Sequence, residues 1–167
     1  DGINDYVDLP SASIFSYPMT ITSWIYFRGA TGSLGDMIIY GSSSTSGDGF
    51  DLANCHLGQY NTDASIFGWN CDQFSIDLFR TASFNTWVHI AVVLDSTAIR
   101  LYINGVQVGT DTSFSTPNFS SYLDSQTYIG RPSSGTNRYY DGRIDDLRIY
   151  NRALTSTEIL NIYNGVA

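Results

Sequence analysis

The sequence predicts an all-β domain, a sandwich or a barrel, with one short helix at its C-terminal end. Three observations point there. Helix formers are few, while Gly, Ser, Thr, Tyr, Val and Ile are abundant, the residues that favour strands and tight turns. Strand-like runs recur at short intervals with turn chemistry between them. A single capping box stands near the end, followed by the only helical periodicity. The chain has 167 residues, 43% of them hydrophobic, which suits one domain spanning residues 1–167 with a closed core.

The strands follow in order. DYVDL (5–9) alternates apolar and polar residues, and MTITSWIYFR (19–28) makes a longer strand. DMIIYG (36–41) and GFDLAN (49–54) flank the Ser/Gly-rich loop SSSTSGD. Residues 56–60 and 64–70 surround an Asn-Thr-Asp turn, and FSIDLF (74–79) adds a further strand. WVHIAVVLD (87–95) is almost wholly apolar, as expected of a central strand, with Trp87, His89 and Ala91 on one face. In IRLYIN (99–104), Ile99, Leu101 and Ile103 take one face and Arg100 and Tyr102 the other. Asn104-Gly105 is a two-residue hairpin turn, since both positions tolerate positive φ, and VQVGT returns. TYIG (127–130) and RIDDLRIY (143–150) complete the set. Thr155 then serves as N-cap with Glu158 three residues into the helix, and Gly165 ends it.

The charge pattern excludes several functions. Eight Arg and no Lys stand against fifteen Asp and one Glu, for a net charge of −8. Such a surface repels a phosphate backbone, which argues against nucleic acid as a partner. No apolar run is long enough to span a membrane, so no membrane insertion is expected. No leader-like segment is read, so the sequence reads as a mature protein or an excised domain. Cys55 and Cys71 flank a hairpin, where a structural disulfide is favoured over a metal or redox site with His56, because two sulfurs and one imidazole make a poor metal shell. A bridge, an acidic balance and the lack of Lys point to an extracellular setting, secreted or on a cell surface. Asn118-Phe119-Ser120 is a glycosylation sequon.

Several segments together resemble laminin-G-like domains of the concanavalin A-like jelly-roll superfamily. DGINDYVDLP (1–10) resembles their opening strand and ITSWIYF (21–27) their second. TWVHIAVVLD (86–95) and IRLYINGVQVG (99–109) resemble the central hairpin, and YYDGRIDDLRIYNRALTSTEI (139–159) the closing strand and cap. IGRPSSG (129–135) sits where such domains carry a strand and a variable loop, while residues 30–80 are more individual. The resemblance implies a two-sheet antiparallel β-sandwich with the termini adjacent in one sheet, and core positions for Trp24 and Trp87.

The superfamily includes enzymes as well as lectins, so the residues must decide. A glycosidase needs two carboxylates flanking the scissile bond. The only Glu reads as a cap, and the alternating carboxylate triplet of laminarinase-type relatives is missing from the sequence. Lyase-type relatives use Gln-x-His with a Tyr and Lys, and this chain has no Lys. His89 reads as a packed strand residue and His56 has no triad partners. No enzymatic activity is expected.

Calcium is the implied cofactor, because an Asp-rich surface supplies the oxygen ligands that hard cations require. In relatives an Asp near the start of the closing strand helps to hold one ion against the N-terminal strand. Asp145 matches it, with Asp146 beside it, and Asp1, Gly2, Asn4 or Asp5 would supply the N-terminal oxygens. A second, rim site of laminin-G type would use Asp72, with Asp63 nearby. For a ligand, sugar sites combine an aromatic platform with polar side chains. Trp69 matches no core position and has Tyr60, Asn61 and Asp63 near it in sequence. Arg138, Tyr139 and Tyr140 precede the closing strand and are expected at the same rim. The sequence therefore predicts a non-catalytic, monomeric carbohydrate-binding module of a larger protein, binding a polysaccharide or glycan. An adhesion domain that binds an extracellular protein is the alternative, and a structural spacer in a cell-surface array is the third reading.

Overall fold

The computed structural model describes residues 3–9, 18–28, 37–42, 54–59, 66–71, 76–81, 85–111, 126–131 and 139–166. They form eleven strands and one helix: β1 (Val7–Leu9), β2 (Met19–Phe27), β3 (Met37–Ser42), β4 (Asn54–Gln59), β5 (Ile66–Cys71), β6 (Ile76–Thr81), β7 (Trp87–Leu94), β8 (Ile99–Ile103), β9 (Val106–Asp111), β10 (Gln126–Ile129), β11 (Gly142–Tyr150) and α1 (Ser156–Tyr163). Two antiparallel sheets result, one of six strands in the order β1-β10-β3-β4-β5-β6 and one of five in the order β11-β2-β7-β8-β9. This is the expected sandwich. Of the expected strand at 49–54, only Asn54 lies among the described residues, where it opens β4.

At the centre of the five-stranded sheet, β2 and β7 are buried on both faces along most of their length. One face carries Met19, Ile21 and Ile25 of β2, Ile90, Val92 and Leu94 of β7, and Ile99 and Leu101 of β8, each at most 3% exposed. Burying each such side chain contributes about 1.5–3 kcal/mol. The other face is covered by α1, where Ala91, Val93 and Tyr102 pack against Leu154, Ile159 and Ile162. This explains why β7 reads as a continuous apolar run rather than an alternating one. It also explains why Tyr102 is buried although it alternates away from Ile99 and Leu101.

The helix forms where the capping box places it. Thr155 Oγ1 accepts from the Glu158 amide at 3.3 Å, and Glu158 Oε2 accepts from the Thr155 amide at 2.8 Å. The chain leaves the helix through Gly165 at φ 69°. Thr20, fully buried in β2, fixes the approach to the helix: its hydroxyl donates to the Arg152 carbonyl at 2.8 Å and accepts from the Leu154 amide at 3.0 Å. The Asn104-Gly105 turn has φ values of 50° and 78°, as its residue types predict.

Two expectations drawn from the resemblance are corrected. The termini do not share a sheet: β1 pairs with β10 in register Val7↔Ile129, whereas β11 pairs with β2 in register Ile144↔Ile25. Each is therefore the edge strand of its own sheet. Trp87 is not core, because it begins β7 at the sheet's rim and is 39% exposed. Trp24 is half-buried, its ring 5.6 Å from that of Tyr163 on α1.

Candidate functional site

A cleft of about 450 Å³ lies where the edge strands of the two sheets face each other. Asp5, Tyr6 and Val7 line one side, Ile129 and Gly130 the floor, and Tyr140, Asp145 and Asp146 the other side. Close backbone packing shapes it. Gly130, at φ 87°, lies against the backbone of Asp5 and Tyr6. Gly142 starts β11 so tightly on β2 that an added Cβ would lie 2.2 Å from the Tyr26 carbonyl oxygen and 2.6 Å from the Tyr140 ring.

The acidic wall is made by an irregularity in β11. The β2–β11 register shifts between Asp145 and Arg148, and Asp146 sits at φ 50°, so the two carboxylates do not simply alternate across the sheet. Asp145 Oδ1 accepts from the Asp146 amide at 2.8 Å, and its carbonyl accepts from the buried Ser23 hydroxyl at 3.0 Å. Asp146 Oδ1 is engaged by Arg148 Nε at 2.8 Å.

Beside the cleft stands an aromatic cluster built from three parts of the chain. Tyr6, 48% exposed, packs edge-to-face on Tyr128 with ring centroids 6.0 Å apart, and lies 6.5 Å from the Tyr139 ring. The Arg131 guanidinium rests on both Tyr6 and Tyr128, 4.3 and 4.2 Å from their centroids. Tyr140 is buried against Phe27, with centroids 5.5 Å apart, and its amide donates to the Gly130 carbonyl at 2.8 Å. An exposed tyrosine beside acceptor-rich walls offers a stacking face and hydroxyl-binding oxygens together.

The structure brings Asp5, Tyr139, Tyr140 and Asp145 of the sequence-derived set to this one place. Asp1, Tyr60, Asn61, Asp63, Asp72 and Arg138 lie outside the described residues. Trp69 falls within β5, opposite Leu57 of β4 and Leu78 of β6, toward the far end of the six-stranded sheet from β1. In the order of that sheet, β5 is separated by three strands from β1, beside which Tyr139 stands with Tyr6. Cys55 of β4 and Cys71 of β5 are directly opposed in register. Sequence reasoning missed Tyr6, Tyr128 and Arg131. Their only signal is that each sits in or beside a strand segment that resembles the family, and nothing local shows that the first strand and the tenth are neighbours.

For calcium, the cleft is lined by the carboxylates of Asp5, Asp145 and Asp146, the last of them held by Arg148. Among the described residues no three metal-ligating side chains converge. That is less than the six to eight oxygens a calcium shell takes, so these side chains alone do not complete a site.

Two groups that acid–base chemistry would need are otherwise employed. Glu158 has one oxygen on Arg152 at 2.6 Å and the other on Thr155, contacts that hold it down at about 2. His89 is 1% exposed, and burial, aided by Arg148 and opposed by Asp146, pushes it down to about 4.

The chain belongs to the laminin-G type of the concanavalin A-like lectin/glucanases superfamily, whose model matches residues 1–160. Over 83 residues, 47% of the chain, it is 30% identical to usherin of Mus musculus and 32% identical to usherin of Homo sapiens, in each case 2% of the relative's length. Among solved structures it is similar to domain 4 of AbnA, an extracellular arabinanase from Geobacillus stearothermophilus in complex with arabinotriose. That match has a TM-score of 0.63 at 19% identity and covers 95% of this chain and 72% of the other. A second is Trypanosoma rangeli sialidase in complex with 2,3-difluorosialic acid, with a TM-score of 0.64 at 16% identity, covering 88% of this chain and 23% of that one. A third is a SAP-like pentraxin from Limulus polyphemus, with a TM-score of 0.59 at 15% identity, covering 87% and 69% of the two chains.

Proposed function

We propose that this chain is a non-catalytic carbohydrate-binding module of an extracellular protein, and that it takes a glycan in the cleft between β1 and β11. The observation that carries this is the meeting of a half-exposed Tyr6, packed against Tyr128 and Tyr139, and the carboxylates of Asp5 and Asp145 at one opening. A pyranose ring presents C–H groups to the tyrosine face while its hydroxyls donate to the carboxylates. Calcium is part of the proposal: Asp5 and Asp145 would hold it, with Asp1, backbone carbonyls and water as the remaining ligands. The engagement of Glu158 and the burial of His89 support the non-catalytic part. The likeness to an arabinanase domain seen with arabinotriose supports the choice of a sugar ligand.

Affinity gels cast with a panel of polysaccharides test the proposal. Tyr6→Ala should keep the fold and weaken binding about ten- to hundredfold, the usual effect of losing a stacking aromatic. Trp69→Ala, made in parallel, reports on the other end of the six-stranded sheet. Loss of binding through Trp69→Ala alone moves the site to β4–β6. Absence of binding to every polysaccharide, with capture of an extracellular protein instead, replaces the carbohydrate reading by the adhesion one.

A further inference from the structure

The outward face of the five-stranded sheet carries a second arrangement of aromatic rings and charge, separate from the cleft. The strand ladders place Arg143 of β11 opposite Tyr26 of β2, and Tyr26 opposite Trp87 of β7, so the three form one row across three strands. Trp87 packs edge-to-face on Tyr26, with centroids 5.7 Å apart and planes at 65°. The Arg143 guanidinium lies 5.5 Å from the Tyr26 centroid. α1 covers Trp24, one pleat away on β2, and leaves this row open, with Trp87 39% exposed and Arg143 also exposed.

The charges around the row distinguish Arg143 from its neighbours. Arg28, Arg100, Arg148 and Arg152 each hold a carboxylate. Arg28, which follows the last residue of β2, is closed by Asp141 at 2.8 Å. Arg143 has no carboxylate partner among the described residues, although the chain carries sixteen acidic side chains against eight arginines. Its planar fork fits a carboxylate through two parallel hydrogen bonds. The exposed indole of Trp87 adds an apolar face, which a bare anion would not use but a sugar ring would. Trp87 and Arg143 are two strand spacings apart, ~9.6 Å, so one sugar ring cannot occupy both and the occupant is an oligomer.

We propose that the Arg143–Tyr26–Trp87 row is a platform for a uronic-acid polysaccharide, one sugar stacking on Trp87 while the carboxylate of a nearby residue in the same chain pairs with Arg143. This rests on the carbohydrate-binding reading but assigns the acidic ligand to a surface other than the cleft. Affinity electrophoresis against polygalacturonate, against the same polymer after carboxyl reduction, and against a sulfated polysaccharide tests it. Polygalacturonate should retard the protein, and the carboxyl-reduced polymer should do so at least tenfold less. Arg143→Gln and Trp87→Phe should each weaken the polygalacturonate interaction tenfold or more with unchanged melting temperature, and Tyr6→Ala should leave it unchanged. Equal binding by Arg143→Gln, equal binding of the reduced polymer, tighter binding of the sulfated one, or loss through Tyr6→Ala would each overturn the platform. Binding of neutral glycans without polygalacturonate refutes the platform and keeps the carbohydrate reading. Binding of no glycan refutes both.

Discussion

Mild acid should destabilise this domain through His89. The ring lies on the face of the five-stranded sheet that α1 covers, 5.3 Å from the Trp24 ring and 6.0 Å from that of Tyr163, and it is 1% exposed. Neither Nδ1 nor Nε2 has a hydrogen-bond partner among the described residues. Burial disfavours the imidazolium and sets the folded pKa at about 4 against an ordinary 6.5; Asp146 favours the charge and Arg148 opposes it. Between these values the unfolded chain binds the proton and the folded chain does not, so stability falls as pH drops. The contribution is complete above pH 6.5, is lost at up to about 1.4 kcal/mol per pH unit, and levels off below pH 4. From pH 7.5 to pH 5 the loss comes to about 2 kcal/mol. Glu158 is held near 2, so its own contribution is lost mainly below this window. Urea unfolding at constant ionic strength, at several pH values, measures the slope. His89→Leu removes the titrating group at similar volume, and its unfolding free energy should be flatter over the same range by that amount. Equal slopes in the two proteins would refute the assignment to His89.

Other outcomes are open to measurement. A non-reduced digest should yield the Cys55 and Cys71 peptides linked, since directly opposed antiparallel residues lie within disulfide reach, and reduction should cost about 3 kcal/mol. Two freely alkylated thiols in the native protein would contradict the bridge. Chelation should lower the melting temperature of the calcium-loaded protein and should have no effect on Asp145→Ala; identical curves with and without chelator would remove calcium from the cleft. Gly142→Ala should destabilise by about 1–3 kcal/mol, because the new methyl meets the Tyr26 carbonyl, and a neutral result in thermal denaturation would show that β11 can move away. Thr155→Ala should cost about 1 kcal/mol through the lost cap, read from the same melts.

What the sequence shows well is what short-range chemistry dictates. The capping box at Thr155 and Glu158 and the Asn104-Gly105 turn depend on residues within a few positions, and both form where the residue types require. The apolar run of β7 announces burial but not its cause, because the helix that covers its second face lies some sixty positions later. Trp87 shows the same limit from the other side: family position suggests core, yet the residue starts its strand at an open rim. The candidate cleft was half legible. Asp145, Asp5 and the Tyr139–Tyr140 segment carry a motif, while Tyr6, Tyr128 and Arg131 meet only through the pairing of β1 with β10. The shift at Asp145–Arg148 was invisible too, since RIDDLRIY reads as a regular strand until Asp146 takes a positive φ.

The assignment of β1 and β11 to different sheets has a mechanical consequence. β1 is held by three residue pairs to β10, whereas β11 is joined to β2 along nearly its whole length. By number of paired residues, the ladder of β1 is the weaker of these two edge attachments. Separation of β1 from β10 would take Asp5 and Tyr6 away from the wall formed by Asp145 and Tyr140. A ligand held there, as proposed, would therefore bridge the two sheets at the edge where one of them is least firmly attached.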